Sequence, residues 1–495
     1  MGSGTIRRGR KAVVVGAGVA GLTAAALLAR SGYETTVLER SDAPGGRAGR
    51  LQRDGFTFDL GPTLLFMPDV FRAAFAACGA DFDRSVSLER LSPNYRLHFA
   101  DGRTLTIGPS LPETIESLER FAPGSSTGLL EYLAGCATAY DLSRRHLVGK
   151  RLRGFRDLLS PGGLRALFGS GAFRSLRRTA SRAFGSSDVA AALSFQTMYL
   201  GMSPYASPEL YRLLFFTEMG EGVFFPRGGI FTLVRELERL AANCGATFRY
   251  QTPALKVEER DGRASAVVCD GERFSCDIAL LTADLPYAYD ALLNEPRHRS
   301  KRMRHTPSAL LLYAAVDGVY PDALHHEFLM PSDLRETCAD IFERGRFPRD
   351  PAIYLASPSA TDASMAPPGS TALYVLVPVA NLDGTTDWKQ RTGELADRVL
   401  ESVEGRRFPG LRQRIRWKET RTPQYFLDEL NCSRGSAFGL SHDLLQIGPM
   451  RPDTRHRRLR NVYFAGASTR PATGLPLVTM SAMQTVERIR EEIPA

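Results

Sequence analysis

Residues 12–21 of the chain read AVVVGAGVAG, an apolar run that leads into three glycines spaced G-x-G-x-x-G. The apolar run predicts a buried strand, and the Ala- and Leu-rich segment 22–31 predicts the helix after it. Gly16 permits the tight turn between them, Gly18 lets the backbone approach a pyrophosphate, and Gly21 lets the helix pack on the strand. The segment therefore predicts the first strand–helix unit of a dinucleotide-binding fold.

The second predicted strand, residues 34–38, ends on an acidic residue, Glu39. A carboxylate at this position binds a ribose 2′-hydroxyl and repels the 2′-phosphate of NADP. The preceding helix presents the free N–H groups and the positive dipole end of its N-terminus to the cofactor phosphates. These features predict a bound dinucleotide and argue against NADP.

A second glycine pair follows the acid and favours FAD over NAD. Arg40 stands directly after Glu39, and Gly45, Gly46 and Arg47 follow a few residues later. Backbone N–H groups of the glycines and the guanidinium of Arg47 can wrap the other side of a diphosphate. An NAD dehydrogenase has no need of this extension, so we expect FAD as the cofactor. A plain surface turn at the glycine pair is the alternative.

The composition indicates a large globular protein of the reducing cytoplasm. The 495 residues are 43% hydrophobic and 24% charged, which is typical of a folded chain with two or three domains. The seven cysteines are scattered, without a Cys-x-x-Cys pair or a His/Cys spacing suited to zinc. We therefore expect reduced thiols and no metal site, and the adjacent pair His325-His326 predicts ordinary packed side chains. No uncharged apolar run reaches the length of about 18 residues that would predict a transmembrane helix.

Residues 144–182 form a basic segment in which cationic and apolar side chains are interleaved, with Asp157 as its one acid. Its eleven basic residues are Arg144, Arg145, Lys150, Arg151, Arg153, Arg156, Arg165, Arg174, Arg177, Arg178 and Arg182. This pattern around the Pro-Gly-Gly at 161–163 predicts short amphipathic helices on an anionic bilayer surface, and thus a peripheral protein on the inner face of the membrane. A solvated helical lid is the alternative. Nucleic acid is not expected as a partner, because the segment has no recognisable binding module.

The pattern along the chain predicts an α/β protein with a discontinuous domain organisation. Rossmann-like FAD-binding segments are predicted at residues 1–105, 223–298 and 426–495, where apolar strands and glycine-rich turns recur. The helical and basic stretch 106–222 predicts a substrate-binding, membrane-facing subdomain. Strand candidates within 299–425 predict a mixed α+β substrate domain.

Five further sequence blocks, spread along the whole chain, resemble blocks of a known protein family. They read LGPT at 60–63, QTMYLGMSPY at 196–205, EMGEGVFFPRGG at 218–229, RGSAFG at 434–439 and GASTRPATGLP at 466–476. With the glycine motif, and in this order, they resemble the bacterial phytoene desaturase (carotenoid desaturase) family of the FAD-dependent amine-oxidase-like superfamily.

The resemblance implies further contacts to FAD. It assigns Ala254 to the adenine, through its backbone, and the run 61–63 to the neighbourhood of the isoalloxazine. It also implies that two C-terminal stretches close over the ribityl chain and the ring, where a helix N-terminus can stabilise the anion of the reduced flavin. The residues implied in this way are Gly61, Pro62, Thr63, Ala254, Gly466, Ala467, Gly474, Leu475 and Pro476.

The reaction implied by the resemblance is desaturation of a long apolar polyene, such as the carotenoid precursor phytoene, by hydride transfer to the flavin. Candidate residues at the reacting end are Glu218, Glu221 and Arg470. A buried carboxylate there could take the proton, although a role in a salt bridge is the common alternative for each glutamate. Five bulky side chains could line a tunnel for the hydrocarbon or pack in the core, namely Phe195, Met198, Tyr199, Phe215 and Phe216.

One departure from the family keeps other reactions open. The C-terminal loop of the desaturases usually reads Thr-His-Pro-Gly, whereas this chain has Thr-Arg-Pro-Ala at 469–472. A permanent cation at Arg470 in place of a titratable side chain could alter the substrate or the direction of the chemistry. The alternatives are a redox, cyclising or isomerising FAD enzyme acting on another polyene such as a polyketide-derived tetramate, and amine oxidation. A non-catalytic prenyl-lipid-binding protein resembling the GDP-dissociation inhibitors would leave the FAD motifs unused.

Overall fold

The protein is described by a computed structural model that covers residues 9–152 and 154–495. Residues 1–8 of the first predicted FAD-binding segment and Arg153 of the basic segment lie outside these described residues. The strands are β1 (Lys11–Val15), β2 (Glu34–Leu38), β3 (Arg50–Arg53), β4 (Phe56–Asp59), β5 (Leu88–Arg90), β6 (Tyr95–His98), β7 (Thr104–Ile107), β8 (Phe224–Pro226), β9 (Thr247–Arg249), β10 (Ala254–Arg260), β11 (Arg263–Cys269), β12 (Arg273–Ser275), β13 (Ile278–Leu281), β14 (Ser308–Asp317), β15 (His326–Leu329), β16 (Ile353–Ala356), β17 (Ser370–Val379), β18 (Ile415–Arg421) and β19 (Val462–Phe464).

Helices cover both sheets and fill most of the middle of the chain. They are α1 (Val19–Arg30), α2 (Pro68–Ala77), α3 (Phe82–Ser85), α4 (Leu111–Phe121), α5 (Ser126–Ser143), α6 (Phe155–Leu158), α7 (Pro161–Gly169), α8 (Leu176–Phe184), α9 (Ser187–Ala192), α10 (Leu213–Phe216), α11 (Ile230–Asn243), α12 (Leu285–Tyr287), α13 (Leu334–Phe342), α14 (Trp388–Arg406), α15 (Leu411–Arg414), α16 (Pro423–Asp428) and α17 (Leu475–Glu492). Within the described chain, none of these helices is both long and apolar enough to cross a bilayer.

The first sheet is parallel, with the strand order β19-β13-β1-β2-β9. β1 lies at its centre and is apolar on both faces, as a buried parallel strand requires. Ala12 and Val14 belong to the core formed with α1, α11 and α17, whereas Val13 and Val15 pack towards the antiparallel sheet β10-β11-β12. The predicted α/β, Rossmann-like fold class is therefore confirmed.

The second sheet is mixed, with the strand order β18-β14-β17-β16-β15-β6-β7. β14 and β17 pair over their full lengths in antiparallel register, from Ser308 opposite Val379 to Asp317 opposite Ser370. Alternate residues of β14 face opposite ways: Leu310 and its alternates pack on α14, while Leu311 and its alternates face the interior between the two sheets. Because side chains alternate with a period of two residues, the face that carries Leu311 forms a wall of the interior between the two sheets.

The hairpin β6–β7 belongs to the second sheet, although the sequence places residues up to 105 in the first FAD-binding segment. β6 pairs in parallel with β15, with Leu97 opposite Phe328, and β7 pairs with β6. The Asp101-Gly102 turn marks the hairpin locally, but the sheet that a hairpin joins depends on partners far along the chain. The division of the chain into five segments otherwise stays a prediction.

A buried carboxylate ties the first sheet's helix layer to the strand pair β3–β4. The two oxygens of Asp59, at the end of β4, accept the backbone N–H groups of Ile230 and Phe231 at 2.8 and 3.0 Å. These N–H groups begin α11, whose own N-cap residue, Gly229, has no side chain to satisfy them. Burial raises the pKa of Asp59 to about 7.

We expect Asp59→Ala to lower the free energy of unfolding by about 2 kcal/mol, because two buried N–H groups lose their acceptor. Asp59→Asn keeps one carbonyl oxygen and should lose less. Chemical denaturation of the two variants beside Asp42→Ala, at an exposed position, measures the difference. Equal stability of Asp59→Ala and the Asp42 control would contradict the assigned cap.

Candidate active site

One cavity of about 880 Å³ lies between the carboxyl ends of the first sheet's strands and the inner face of the second sheet. The residues that follow four parallel strands line it: Gly16 after β1, Glu39 after β2, Thr282 after β13 and Gly466 after β19. Ligands of open α/β sheets bind at this edge, where loops from several strands meet. The cavity continues from these loops to a wall of apolar side chains.

The three glycines of the motif are required for different reasons: Gly16 and Gly21 by backbone conformation and packing, and Gly18 by neither. A Cβ on Gly21 would lie 1.9 Å from the carbonyl oxygen of Gly16, so the close packing of α1 on β1 excludes any side chain there. Gly16 itself has φ +104°, which favours glycine. Gly18 differs: its φ is −74°, and the nearest atom to an added Cβ is 3.8 Å away. Neither conformation nor protein packing requires glycine at position 18, and Gly18 lines the cavity.

The open space above Gly18 fits the diphosphate of a dinucleotide. Gly18 is the N-cap of α1, and none of the described side chains caps this helix, so its first N–H groups remain available to an anion. Gly45 bridges to this loop, its N–H donating to the carbonyl oxygen of Ala17 at 2.9 Å. Gly46 also lines the cavity, where an added Cβ would meet the Cα of Gly18 at 3.8 Å. The two glycine motifs therefore form one cradle.

Glu39 and Arg40, which follow β2, lie at the rim of this cradle. Glu39 is 8% exposed, and its carboxylate accepts the N–H groups of Ala17 at 2.7 Å and Ser41 at 2.9 Å. Each oxygen keeps a further lone pair for a ribose hydroxyl. Arg40 donates to the carbonyl oxygen of Asp428 at 3.1 Å. Ala254, at the start of β10, lines the same end of the cavity.

The loop after β4 is held by tyrosines of the second sheet. The hydroxyls of Tyr313 and Tyr374 donate to the carbonyl oxygens of Leu60 and Gly61 at 2.9 and 3.2 Å. A third hydroxyl, that of Tyr354, shares a hydrogen bond of 2.6 Å with Thr63 Oγ1.

Sequence reasoning did not identify these three tyrosines. Strand alternation around each of them is the signal that could have found their shared face. Gly61, Pro62 and Thr63 line the cavity, and Arg47 contacts this loop, since a Cβ on Gly61 would lie 2.1 Å from the Arg47 carbonyl oxygen.

The histidine pair lies behind this loop. The hydroxyl of Tyr354 is 2.7 Å from His326 Nδ1, and His325 Nδ1 is 2.7 Å from Thr361 Oγ1. Both imidazoles are buried, and burial lowers their pKa values, to about 3 for His325. Both side chains are thus neutral, packed groups.

The C-terminal stretches close the cradle from the opposite side. Gly466 and Ala467 follow β19, and Gly474 is the N-cap of α17, with φ +103° and open space around an added Cβ. Within residues 9–152 and 154–495, no side chain caps this helix, whose first residues are Leu475 and Pro476. All five residues line the cavity. A second uncapped helix N-terminus thus faces the same space as that of α1.

Arg470 lines the cavity, but its guanidinium donates hydrogen bonds to backbone carbonyls. Nη1 donates to Leu152 and Nη2 to Pro449, both at 2.8 Å. Burial lowers the pKa of Arg470, with Asp453 at 3.6 Å opposing this shift. Arg470, the residue at which this chain departs from the family sequence, thus links the C-terminal loop to Leu152 of the basic segment.

The structure separates the two candidate glutamates. Glu218 is 1% exposed and lines the cavity; its Oε2 accepts from the Tyr95 hydroxyl at 2.7 Å and from Gln196 Nε2 at 3.3 Å. Burial raises its pKa to about 8. Glu218 and Glu221 belong to one π-helical turn, Thr217–Glu221. Glu221 accepts from the Tyr140 hydroxyl, and burial together with Asp69 raises its pKa to about 7. Among the described residues, neither glutamate forms an ion pair.

The apolar wall includes three of the five predicted tunnel residues. Phe195, Met198 and Tyr199 line the cavity. Phe215 instead packs in the core beside Tyr132, and Phe216 packs on Tyr140. Further lining comes from the basic segment, whose apolar residues the sequence assigned to a bilayer surface, and from the second sheet: Leu147, Val148, Leu152, Leu158, Leu167, Phe328, Ile353 and Leu376.

Comparison with known proteins gives one consistent family. A model of the family described as flavin containing amine oxidoreductase matches residues 19–490. The chain is 43% identical to a zeta-carotene-forming phytoene desaturase of Myxococcus xanthus, over 97% of this chain and 94% of that protein. It is 35% identical to a phytoene dehydrogenase of Streptomyces griseus, over 96% and 94% of the two chains.

The solved structures agree on the fold. An oxidoreductase from Methanosarcina mazei superposes with a TM-score of 0.66, covering 96% of this chain and all of the other at 16% identity. The resemblance that the sequence blocks predicted, and the prediction of FAD, are confirmed. The chain therefore belongs to the flavin-containing amine oxidoreductase family, in which it is an FAD-dependent oxidoreductase related to the bacterial carotenoid desaturases.

Proposed function

We propose that the protein desaturates a long, apolar carotenoid precursor such as phytoene. The observation that carries the proposal is the continuity of the cavity, which joins the glycine cradle to an apolar wall without an intervening partition. A polyene against Phe195, Met198 and Phe328 would lie beside the cofactor, in surroundings that exclude water. The names of the two sequence relatives support the same substrate class.

We propose that FAD occupies the cradle with its diphosphate between Gly18 and Gly46 and its adenine end near Glu39 and Ala254. The isoalloxazine would then lie between the loop at Gly61 and the C-terminal stretches. The remaining contacts are assigned to Gly16, Gly21, Arg40, Gly45, Arg47, Pro62, Thr63, Gly466, Ala467, Gly474, Leu475 and Pro476. When bound, FAD supplies the acceptor for the electron pair that leaves the substrate.

We assign the proton acceptor to Glu218. Its Oε2 is held by Tyr95 and Gln196, and the Tyr199 hydroxyl also interacts with the carboxyl group, while Oε1 makes no close hydrogen bond among the described residues. A carboxylate fixed in this way at the wall of an apolar cavity can remove a proton from the carbon next to the oxidised one. We assign positioning roles to Glu221, which does not line the cavity in the described structure and whose Oε1 accepts from Tyr140, and to Arg470, whose Nη1 and Nη2 donate to backbone carbonyls. Arg470 thus gives no reason to assign a cyclisation or an isomerisation.

We further propose that the basic segment docks on an anionic bilayer and receives the substrate there. Phe155 on α6, Leu159 directly after α6 and Phe168 on α7 are 62%, 69% and 66% exposed, and burial in lipid would remove the free-energy cost of this exposure. Exposed arginines of the same segment, such as Arg165, can bind lipid phosphates. Between these side chains, Leu158 and Leu167 turn inwards and line the cavity, which supports a direct path from bilayer to site.

Gly18→Ala should reduce FAD affinity about a hundredfold, because a methyl group in the cradle displaces the diphosphate from charge-assisted N–H contacts. Thermal unfolding of the apoprotein should not change, since the added Cβ meets no protein atom closer than 3.8 Å. Gly393→Ala is the matched control, with an equally open Cβ on α14. Flavin titration by fluorescence quenching measures both, and normal FAD affinity of Gly18→Ala would remove the cradle from the proposal.

Glu218→Gln should lower kcat on phytoene in liposomes by about a hundredfold, because an amide cannot accept the proton. Since the carboxyl acts only when ionised and its pKa is raised to about 8, kcat/KM of the unmodified enzyme should rise with pH up to that value. The variant should lose this rise. Glu221→Gln is the control and should keep it; a retained pH dependence in Glu218→Gln would point to another acceptor.

The double variant Phe155→Glu, Phe168→Glu should bind anionic liposomes at least a hundredfold more weakly, since each lost aromatic removes about 2 kcal/mol of apolar burial. Flotation with vesicles containing phosphatidylserine measures the bound fraction. Val319→Glu, at another exposed apolar position outside the basic segment, should bind normally. Flotation of the double variant at the level of the Val319 control would refute the docking surface.

A further inference from the structure

Arg451 is a fully buried cation whose partners are all backbone carbonyls. Its side chain is 0% exposed. Nε donates to Thr469 at 2.8 Å, Nη1 to Ser441 at 3.1 Å, and Nη2 to Ala467. Further bonds reach the carbonyl oxygens of Leu440 and Gln446, both at 3.3 Å. The guanidinium thus holds together two loops of the C-terminal segment.

The charge of Arg451 has no counterion in the described part of the chain. Arg451 makes no ion pair there, and the acid closest in sequence, Asp453, pairs with Arg488 at 2.8 Å and Arg470 at 3.6 Å. Burial lowers the pKa of Arg451 to about 10, with Tyr211 opposing this shift, so the side chain stays cationic at neutral pH. Buried arginines are normally paired with an acid, and carbonyl dipoles alone hold this one.

The uncompensated charge lies directly behind the wall of the cavity. Ala467, whose carbonyl oxygen binds Arg451, lines the cavity together with Gly466 and the first residues of α17. The carbonyl oxygens of Ala467 and Thr469 in this loop accept from the guanidinium. A charge in such an interior is screened far less than one in water.

We propose that Arg451 sets the redox potential of the flavin by stabilising negative charge on the ring, and that it does so through the loop 466–470. This inference rests on the proposed placement of the isoalloxazine against Gly466 and Ala467. Two electrons and one proton taken up by the neutral ring leave it with one net negative charge. A fixed cation behind the loop favours that state over the oxidised one, in the same direction as the helix dipole of α17. Arg451 thus acts on the flavin through the loop 466–470, by its charge and without direct contact.

The test is the midpoint potential of the FAD-loaded full chain, measured against a reference dye during slow enzymatic reduction. Arg451→Met removes the charge and should weaken reduced-flavin binding relative to oxidised at least tenfold, which lowers the potential by about 30 mV for a two-electron couple. Arg451→Lys keeps the charge and should keep the potential, even where its poorer geometry weakens FAD binding. Ser441→Asp leaves Arg451 in place, adds a carboxylate to a residue whose backbone carbonyl already binds the guanidinium, and should lower the potential as Arg451→Met does.

A purely structural role predicts a different result. Arg451→Met and Arg451→Lys would then both lose thermal stability and FAD affinity while the potential stays at the wild-type value, which would overturn the inference. If Arg451→Met does not fold, Ser441→Asp decides: an unchanged potential refutes the electrostatic effect. Failure of the proposed function is separate, because it would appear in the unmodified protein as absent FAD binding or absent turnover of phytoene.

Discussion

The close packing of α1 on β1 is the constraint on which the rest of the site depends. A Cβ at Gly21 would lie 1.9 Å from the carbonyl oxygen of Gly16, so the helix can approach the strand only without a side chain there. This contact aims the uncapped N-terminus of α1 at the edge of the sheet where β2, β13 and β19 also end. Every other loop of the cradle is arranged around that helix end.

The second sheet completes the site by hydrogen bonds as well as by packing. Tyr313, Tyr354 and Tyr374 reach the loop between Leu60 and Thr63 from neighbouring strands. Their hydroxyls satisfy polar groups of the loop that would otherwise be buried beside an apolar cavity. The same face of the sheet then continues as hydrocarbon wall, which is why one cavity can serve a polar cofactor and an apolar substrate.

Two buried ionisable side chains at or behind the cavity wall differ in their protonation. Glu218 lies in apolar surroundings that raise its pKa to about 8 and favour the neutral acid. Arg451 keeps its proton, because five carbonyl dipoles replace the water that it has lost. Glu218 is therefore suited to exchange a proton, whereas Arg451 is suited to provide a fixed positive charge.

The sequence by itself determined the dinucleotide unit, the cofactor class and the apolar-basic character of residues 144–182, since each follows from neighbouring residues and their period. The family was indicated by the resemblance of motif blocks along the whole chain. Only the tertiary structure decided that β6 and β7 join the second sheet, that Arg470 binds Leu152, and that Arg451 has no ion-pair partner in the described part of the chain. These features depend on groups that the chain brings together from distant positions. No local pattern of residues encodes such partners, because burial and hydrogen bonding are settled only when the elements pack.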